Sequence, residues 1–185
     1  MVEILQTKIS GLILMKPRIY MDERGYFFET YNRNVYDEVL NGVSFIQDNE
    51  SKSTYGVLRG LHFQNPPFDQ AKLVRCTKGE VLDVVVDLRK DSPTYGKHEK
   101  FLLSDINKLQ LFIPRGFAHG FLVKTECAIF TYKVDNIYNK NSEDGLIWND
   151  KELGIDWGID ESETIISPKD QILKSFHDYT KGITK

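Results

Sequence analysis

The chain has four histidines, His62, His98, His119 and His177, and a free imidazole titrates at about 6.5, so these are its best-suited groups for moving a proton near neutral pH. His98 and His177 stand among charged neighbours and read as solvated surface groups. His62 closes the run Val57-Leu58-Arg59-Gly60-Leu61-His62, where a satisfied core histidine and a proton acceptor are both admissible. His119 follows Pro114-Arg115-Gly116, so a ligand contact and a place in a structural turn both fit. A stable first-row metal site needs three or four imidazole, thiolate or carboxylate ligands brought together. The position two after His62 is Gln64, so a stable iron or zinc site is not expected, and no cofactor is called for.

Strand phase adds two more reactive groups. Alternation through 127–134 puts Ala128, Phe130, Tyr132 and Val134 on one face, so Tyr132 points where its apolar neighbours point. The same rule through 71–77 groups Lys72 with Val74 and Cys76. An inward lysine and tyrosine need partners, since an unpaired buried charge is costly; a reactive site and a structural salt bridge both satisfy that need. Strict alternation puts Arg59 and His62 on opposite faces. Either Gly60 marks a bulge or Arg59 works from beyond the strand edge.

The elements that must hold these groups are mostly short strands. Turn signals such as Asn65-Pro66-Pro67, Lys78-Gly79 and Asp91-Ser92-Pro93 separate runs rich in Val, Ile, Phe and Tyr. Strands are expected at 43–47, 57–64, 71–77, 80–88, 97–103, 109–113, 119–124 and 127–134. A helix is expected between Asn32 and Gly42, with Val35/Val39 and Tyr36/Leu40 paired along it, and a short terminal helix near 169–177. Such spacing implies a sandwich or jelly-roll barrel, mainly β with a few short helices.

The 185 residues suit a single domain spanning 1–185, with 41% hydrophobic residues to build a core. Lys and Arg number 24 against 27 Asp and Glu, a formal charge of −3 that offers no footprint for nucleic acid. The apolar run Leu12 to Met15 is too short for a signal core or a membrane span. Cys76 and Cys127 form no CxxC or Cys/His cluster and read as buried reduced thiols, so a cytoplasmic protein is expected.

The run 57–64 with Lys72-Leu73-Val74-Arg75 resembles the dTDP-4-dehydrorhamnose 3,5-epimerases, a cupin family. The resemblance extends over Asp22-Glu23-Arg24-Gly25, Gln47-Asp48-Asn49, Asp83 to Arg89, Ile113 to Phe121, Tyr132-Lys133, Trp148-Asn149-Asp150, Gly154 to Trp157 and Ser167-Pro168-Lys169-Asp170. It implies a cupin-type double-stranded β-helix, a homodimer, and metal-independent epimerisation of a nucleotide-linked 4-keto sugar. By the same resemblance His62 is the base, Asp170 its orienting carboxylate, Tyr132 the acid on the opposite sugar face, and Lys72 the cation beside the enolate oxygen. Arg24, Glu29, Gln47, Asn49, Arg59, His119, Glu143 and Lys169 match substrate-holding positions, and Tyr138 matches an aromatic that stacks on the thymine.

These residue types suit that chemistry. Inverting a carbon beside a ketone takes a proton from one face and returns one to the other, which calls for two groups on opposite walls. The developing oxyanion wants a fixed cation. Two rivals remain: an epimerase acting on one carbon or on another keto sugar, and a non-catalytic sugar-nucleotide binder. The sequence departs from the family pattern at Ala71, at Pro66-Pro67-Phe68-Asp69 and at Gly158. The first two bear on sugar or nucleotide preference more than on the reaction.

Overall fold

The computed structural model describes residues 2–182. In chain order the elements begin with β1 (Val2–Leu5), β2 (Ile13–Pro17), β3 (Tyr20–Asp22), β4 (Gly25–Phe27), α1 (Arg33–Val39) and β5 (Gln47–Thr54). Seven strands follow at short intervals: β6 (Val57–Gln64), β7 (Lys72–Lys78), β8 (Glu80–Asp87), β9 (His98–Ser104), β10 (Gln110–Ile113), β11 (Phe117–Val123) and β12 (Cys127–Val134). The last part holds β13 (Glu143–Gly145), β14 (Ile165–Ile166), 3-10 turns at Glu161–Glu163 and Asp170–Ile172, and α2 (Phe176–Gly182).

Two sheets carry the fold. One is ordered β1-β2-β10-β7-β12-β5 and the other β13-β6-β11-β8-β9, with β14 added parallel to β6 and β3–β4 standing apart as a hairpin. Their inner faces pack as the two walls of a barrel: Val74 and Cys76 of one meet Val81, Val85 and Phe121 of the other. The rings of Phe121 and Phe130 stack across the gap at 4.3 Å. Each sheet is covered outside as well. Leu58, Leu61, Val84 and Val86 lie under Trp148, Trp157 and Phe176, while α1 lays Tyr36 and Leu40 over Met15, Leu73 and Phe112. Burial on both faces explains why Val84-Val85-Val86 reads as a continuous apolar run.

The expected helix is present, with the Asn32 side chain accepting from the Asn34 amide and Gly42 turning the chain at φ +75°. Two expectations need correction. Residues 43–46 are not a strand; Val43 and Phe45 pack against the α1 cluster, and the strand is the polar segment Gln47-Asp48-Asn49-Glu50-Ser51-Lys52-Ser53-Thr54. Hydrophobic patterning missed it because β5 is an edge strand paired only with β12, and its inner face meets the cavity instead of the core. The terminal helix expected near 169–177 is two pieces. Leu173 is extended, the carbonyl of Lys174 accepts from the Ile147 amide, and α2 starts only at Phe176, whose amide donates to Asp150 Oδ2 at 2.8 Å. Cys76 is buried as expected, whereas Cys127 is partly exposed; both are free thiols. No helix among the described residues is long and apolar enough to cross a membrane.

Candidate active site

The phase conflict on β6 resolves at Gly60. Leu58 and Leu61 both enter the outer cluster, while Arg59 and His62 both line the inner cavity, so one residue has slipped in the alternation. Pairing of β6 with β11 shifts register between His119 and Phe121 at this point. Gly60 has φ +119°, and a Cβ there would meet the Gly120 Cα at 2.5 Å. Glycine is needed at Gly60 by both the conformation and the approach of the two backbones.

The cavity, about 480 Å³, opens between the two sheets. From β6 comes His62, with its side chain 32% exposed and Nε2 2.7 Å from Oδ1 of the nearly buried Asp170. The parallel pairing of β14 with β6 brings Ser167, Lys169 and Asp170 to this end of the barrel. Burial opposes charge on Asp170. Burial is the largest single influence, but the His62 bond and charge, the Gly60 amide and Ser167 together overcome it and hold the carboxyl below its ordinary range.

Facing His62 from the other sheet are Lys72 on β7 and Tyr132 on β12. Dehydration pushes the Lys72 ammonium down to about 8, against the pull of Asp83 and then Glu143. Burial raises the Tyr132 phenol, with Arg59 acting in the opposite sense, so the phenol stays protonated across the neutral range. Arg59 is itself steadied by Nε donating to the Ser53 hydroxyl at 3.1 Å. His119, directly opposite His62 in the β6–β11 pairing, holds Nε2 2.8 Å from Asp83 Oδ2.

Lys169 links the cavity to its rim. Its ammonium lies 2.6 Å from Glu143 Oε1, and Tyr138 donates its hydroxyl to Glu143 Oε2 at 2.7 Å. Burial works against charge on Glu143, but Lys169 and Tyr138 together lower its pKa. The cavity thus offers two histidines, a phenol and three cationic side chains, a lining suited to a diphosphate and to proton transfer beside a carbonyl.

The family match is decided by sequence extent. The family model described as dTDP-4-dehydrorhamnose 3,5-epimerase matches residues 6–178. The chain belongs to this epimerase family. A dTDP-4-dehydrorhamnose 3,5-epimerase of Shigella flexneri is 49% identical over 168 residues, covering 90% of this chain and 92% of the relative. A crystal structure of the enzyme of that name from Elizabethkingia anophelis NUHP1 is similar at TM-score 0.91 and 50% identity, over 96% of this chain and 97% of that one. A dTDP-6-deoxy-D-glucose-3,5-epimerase from Legionella pneumophila Philadelphia 1, solved in complex with dTDP-4-keto-L-rhamnose, gives TM-score 0.92 at 44% identity, over 96% and 94% of the two chains.

Not every residue implied by the family resemblance converges on the epimerase cavity. His62, Asp170, Lys72, Tyr132, Arg59, His119 and Lys169 line it, and Glu143 and Tyr138 join through Lys169. Arg24 lies instead on the β3–β4 hairpin, bound to Asp22, and Glu29 accepts from the Asn32 amide group. Gln47 donates to Asn49 at 2.8 Å, and Asn49 borders a separate groove beside Arg75 and Thr131. Residue-by-residue reading missed Ser51, Ser53 and Ser167 as site residues. Gln64, at the would-be metal position, is a structural peg whose amide engages Phe68, Ile137 and Asn139.

Proposed function

We propose that this chain, acting as one cupin-like domain, inverts carbons 3 and 5 of dTDP-4-dehydro-6-deoxy-D-glucose to give dTDP-4-dehydro-L-rhamnose. The observation that carries the reading is the placement of His62 and Tyr132 on facing sheets of one cavity, with Lys72 between them in character as a cation. His62 takes the proton from the carbon beside the carbon-4 ketone while Asp170 supports the imidazolium that forms. The electron pair moves to the ketone oxygen, where Lys72 meets the negative charge. Tyr132 returns a proton from the opposite face, and the cycle repeats at the second carbon. Arg59 and Lys169 hold the diphosphate, and the exposed Tyr138 ring is available to the thymine.

The enzyme acts as a homodimer in the cytoplasm under this proposal. Support for the dimer is the hairpin bearing Tyr20, Met21, Tyr26 and Phe27, each more than half exposed, an apolar surface that a second copy would cover. A second copy docked there also accounts for Arg24 and Glu29 standing away from the cavity of their own chain. The two free thiols fit a reducing compartment.

Turnover of the keto sugar in heavy water, followed by NMR, tests the reading. Deuterium is expected at both carbons 3 and 5 of the L-configured product. Label at one carbon only reassigns the chain as a single-site epimerase, and no label defeats the catalytic reading in favour of a binder.

A further inference from the structure

Along the inner face of β8 the sequence runs Val81, Asp83, Val85, a carboxylate between two valines wholly removed from solvent. Asp83 is itself 0% exposed. Its Oδ2 is bound to His119 Nε2 at 2.8 Å. Its Oδ1 is, among the described residues, the buried side-chain polar atom left without a hydrogen-bond partner. A carboxylate in an apolar wall is retained at a considerable desolvation penalty, so it calls for a compensating cation.

Among the described residues no ion pair joins Asp83 to a lysine or arginine, and the cation on which its charge acts is Lys72. The titratable and charged groups around Lys72 come from every side of the barrel: Asp83 on β8, His119 on β11, Arg59 and His62 on β6, Tyr132 on β12, Glu143 on β13, Lys169 with Asp170 beyond β14, and, on the far side of the lysine, Asp69 of the loop before β7 and Tyr179 of α2. Of the acids, Asp170 is committed to His62 and Glu143 to Lys169 and Tyr138. Asp69 lies 3.6 Å from Arg115, whereas Asp83 holds the buried oxygen left without a hydrogen-bond partner among the described residues and exerts the leading acidic influence on Lys72.

We propose that Asp83 is a positioning residue for the epimerase reaction: its bond fixes the His119 ring with Nδ1 left for the substrate, and its charge keeps the Lys72 ammonium in the protonated form that meets the enolate oxygen. The proposal rests on the epimerase reading given above. It makes the barrel floor a paired device, one anion serving two donors that would otherwise repel each other when both are charged. It also explains why a carboxylate occupies an inward strand position where a valine or alanine would pack without penalty.

The test is Asp83→Asn, which keeps the shape and removes the charge. With the keto sugar as substrate, kcat is expected to fall roughly 10- to 100-fold with little change in KM. The alkaline limb of kcat/KM is expected to move down by about one pH unit, because Lys72 loses its counterion. A folded variant whose alkaline limb stays at the parent position overturns the proposal, since a purely structural role would lower the folded fraction without moving the limb. Should Asp83→Asn fail to fold, Asp83→Glu carries the test: retained charge keeps the limb in place while the displaced His119 ring lowers kcat, and a shifted limb there is the contrary result. Titration of the Lys72 side chain by NMR, in the parent and in whichever variant folds, needs no turnover. A Lys72 pKa lower in Asp83→Asn than in the parent supports the charge coupling even if the parent proves inactive on this sugar, and an identical pKa refutes it.

Discussion

Replacing His62 with alanine is expected to lower kcat by about 10³- to 10⁴-fold, the upper range for loss of a positioned general base. Deuterium exchange at both carbons should vanish together, since one base serves both. Affinity for the nucleotide diphosphate should stay near that of the parent, because Arg59 and Lys169 remain in place. Asp170→Asn should fall between parent and His62→Ala. The amide cannot carry the charge that supports the imidazolium, although the 2.7 Å contact and the ring orientation survive in outline. Steady-state kinetics and binding of dTDP, measured side by side, check both statements. Retention of exchange at either carbon in His62→Ala would assign a different base to that carbon.

The second large effect concerns Lys72. Loss of the cation in Lys72→Met is expected to reduce kcat by roughly 10²- to 10³-fold, the scale for removing one oxyanion donor. The parent enzyme should show a related pH dependence. The ammonium is held down to about 8 by dehydration, so it is fully charged below that value and loses its proton as pH rises through it. The useful form is the charged one, so kcat/KM should decline on the alkaline side of about 8. Tyr132 does not account for that limb, because burial moves its phenol upward, away from this window. A kcat/KM profile from pH 6 to 10 decides the matter, as does Lys72→Arg, in which the alkaline limb should disappear because a guanidinium stays charged over about this whole range.

The sequence made some of this legible and concealed the rest for definable reasons. Period-2 phase placed Tyr132 with Phe130, and Lys72 with Val74 and Cys76, and each of these groupings lies on a barrel-facing side. It could not by itself put Arg59 and His62 together, since a slip at Gly60 is a contact between two backbones, Gly60 against Gly120, that no local pattern encodes. The strand β5 was invisible to hydrophobic periodicity because its inner face meets the polar cavity, where Ser53 receives Arg59. Asp83 stands in the sequence as an acidic interruption of an apolar strand. Its phase, with Val81 and Val85, is the signal that separates a site carboxylate from a surface one. Arg24, Glu29, Gln47 and Asn49 were picked out only by resemblance to the family, and in this single chain they lie apart from the cavity.

The central claim is that a base on one sheet and an acid on the other act on opposite faces of one sugar ring. Tyr132→Phe in heavy water tests it most directly, because the variant keeps His62, Lys72 and the binding groups while removing the returning proton. Deuterium should still enter the starting keto sugar through His62, while formation of the L-configured product falls steeply. Normal inversion with full label in the product would contradict the opposed acid and base.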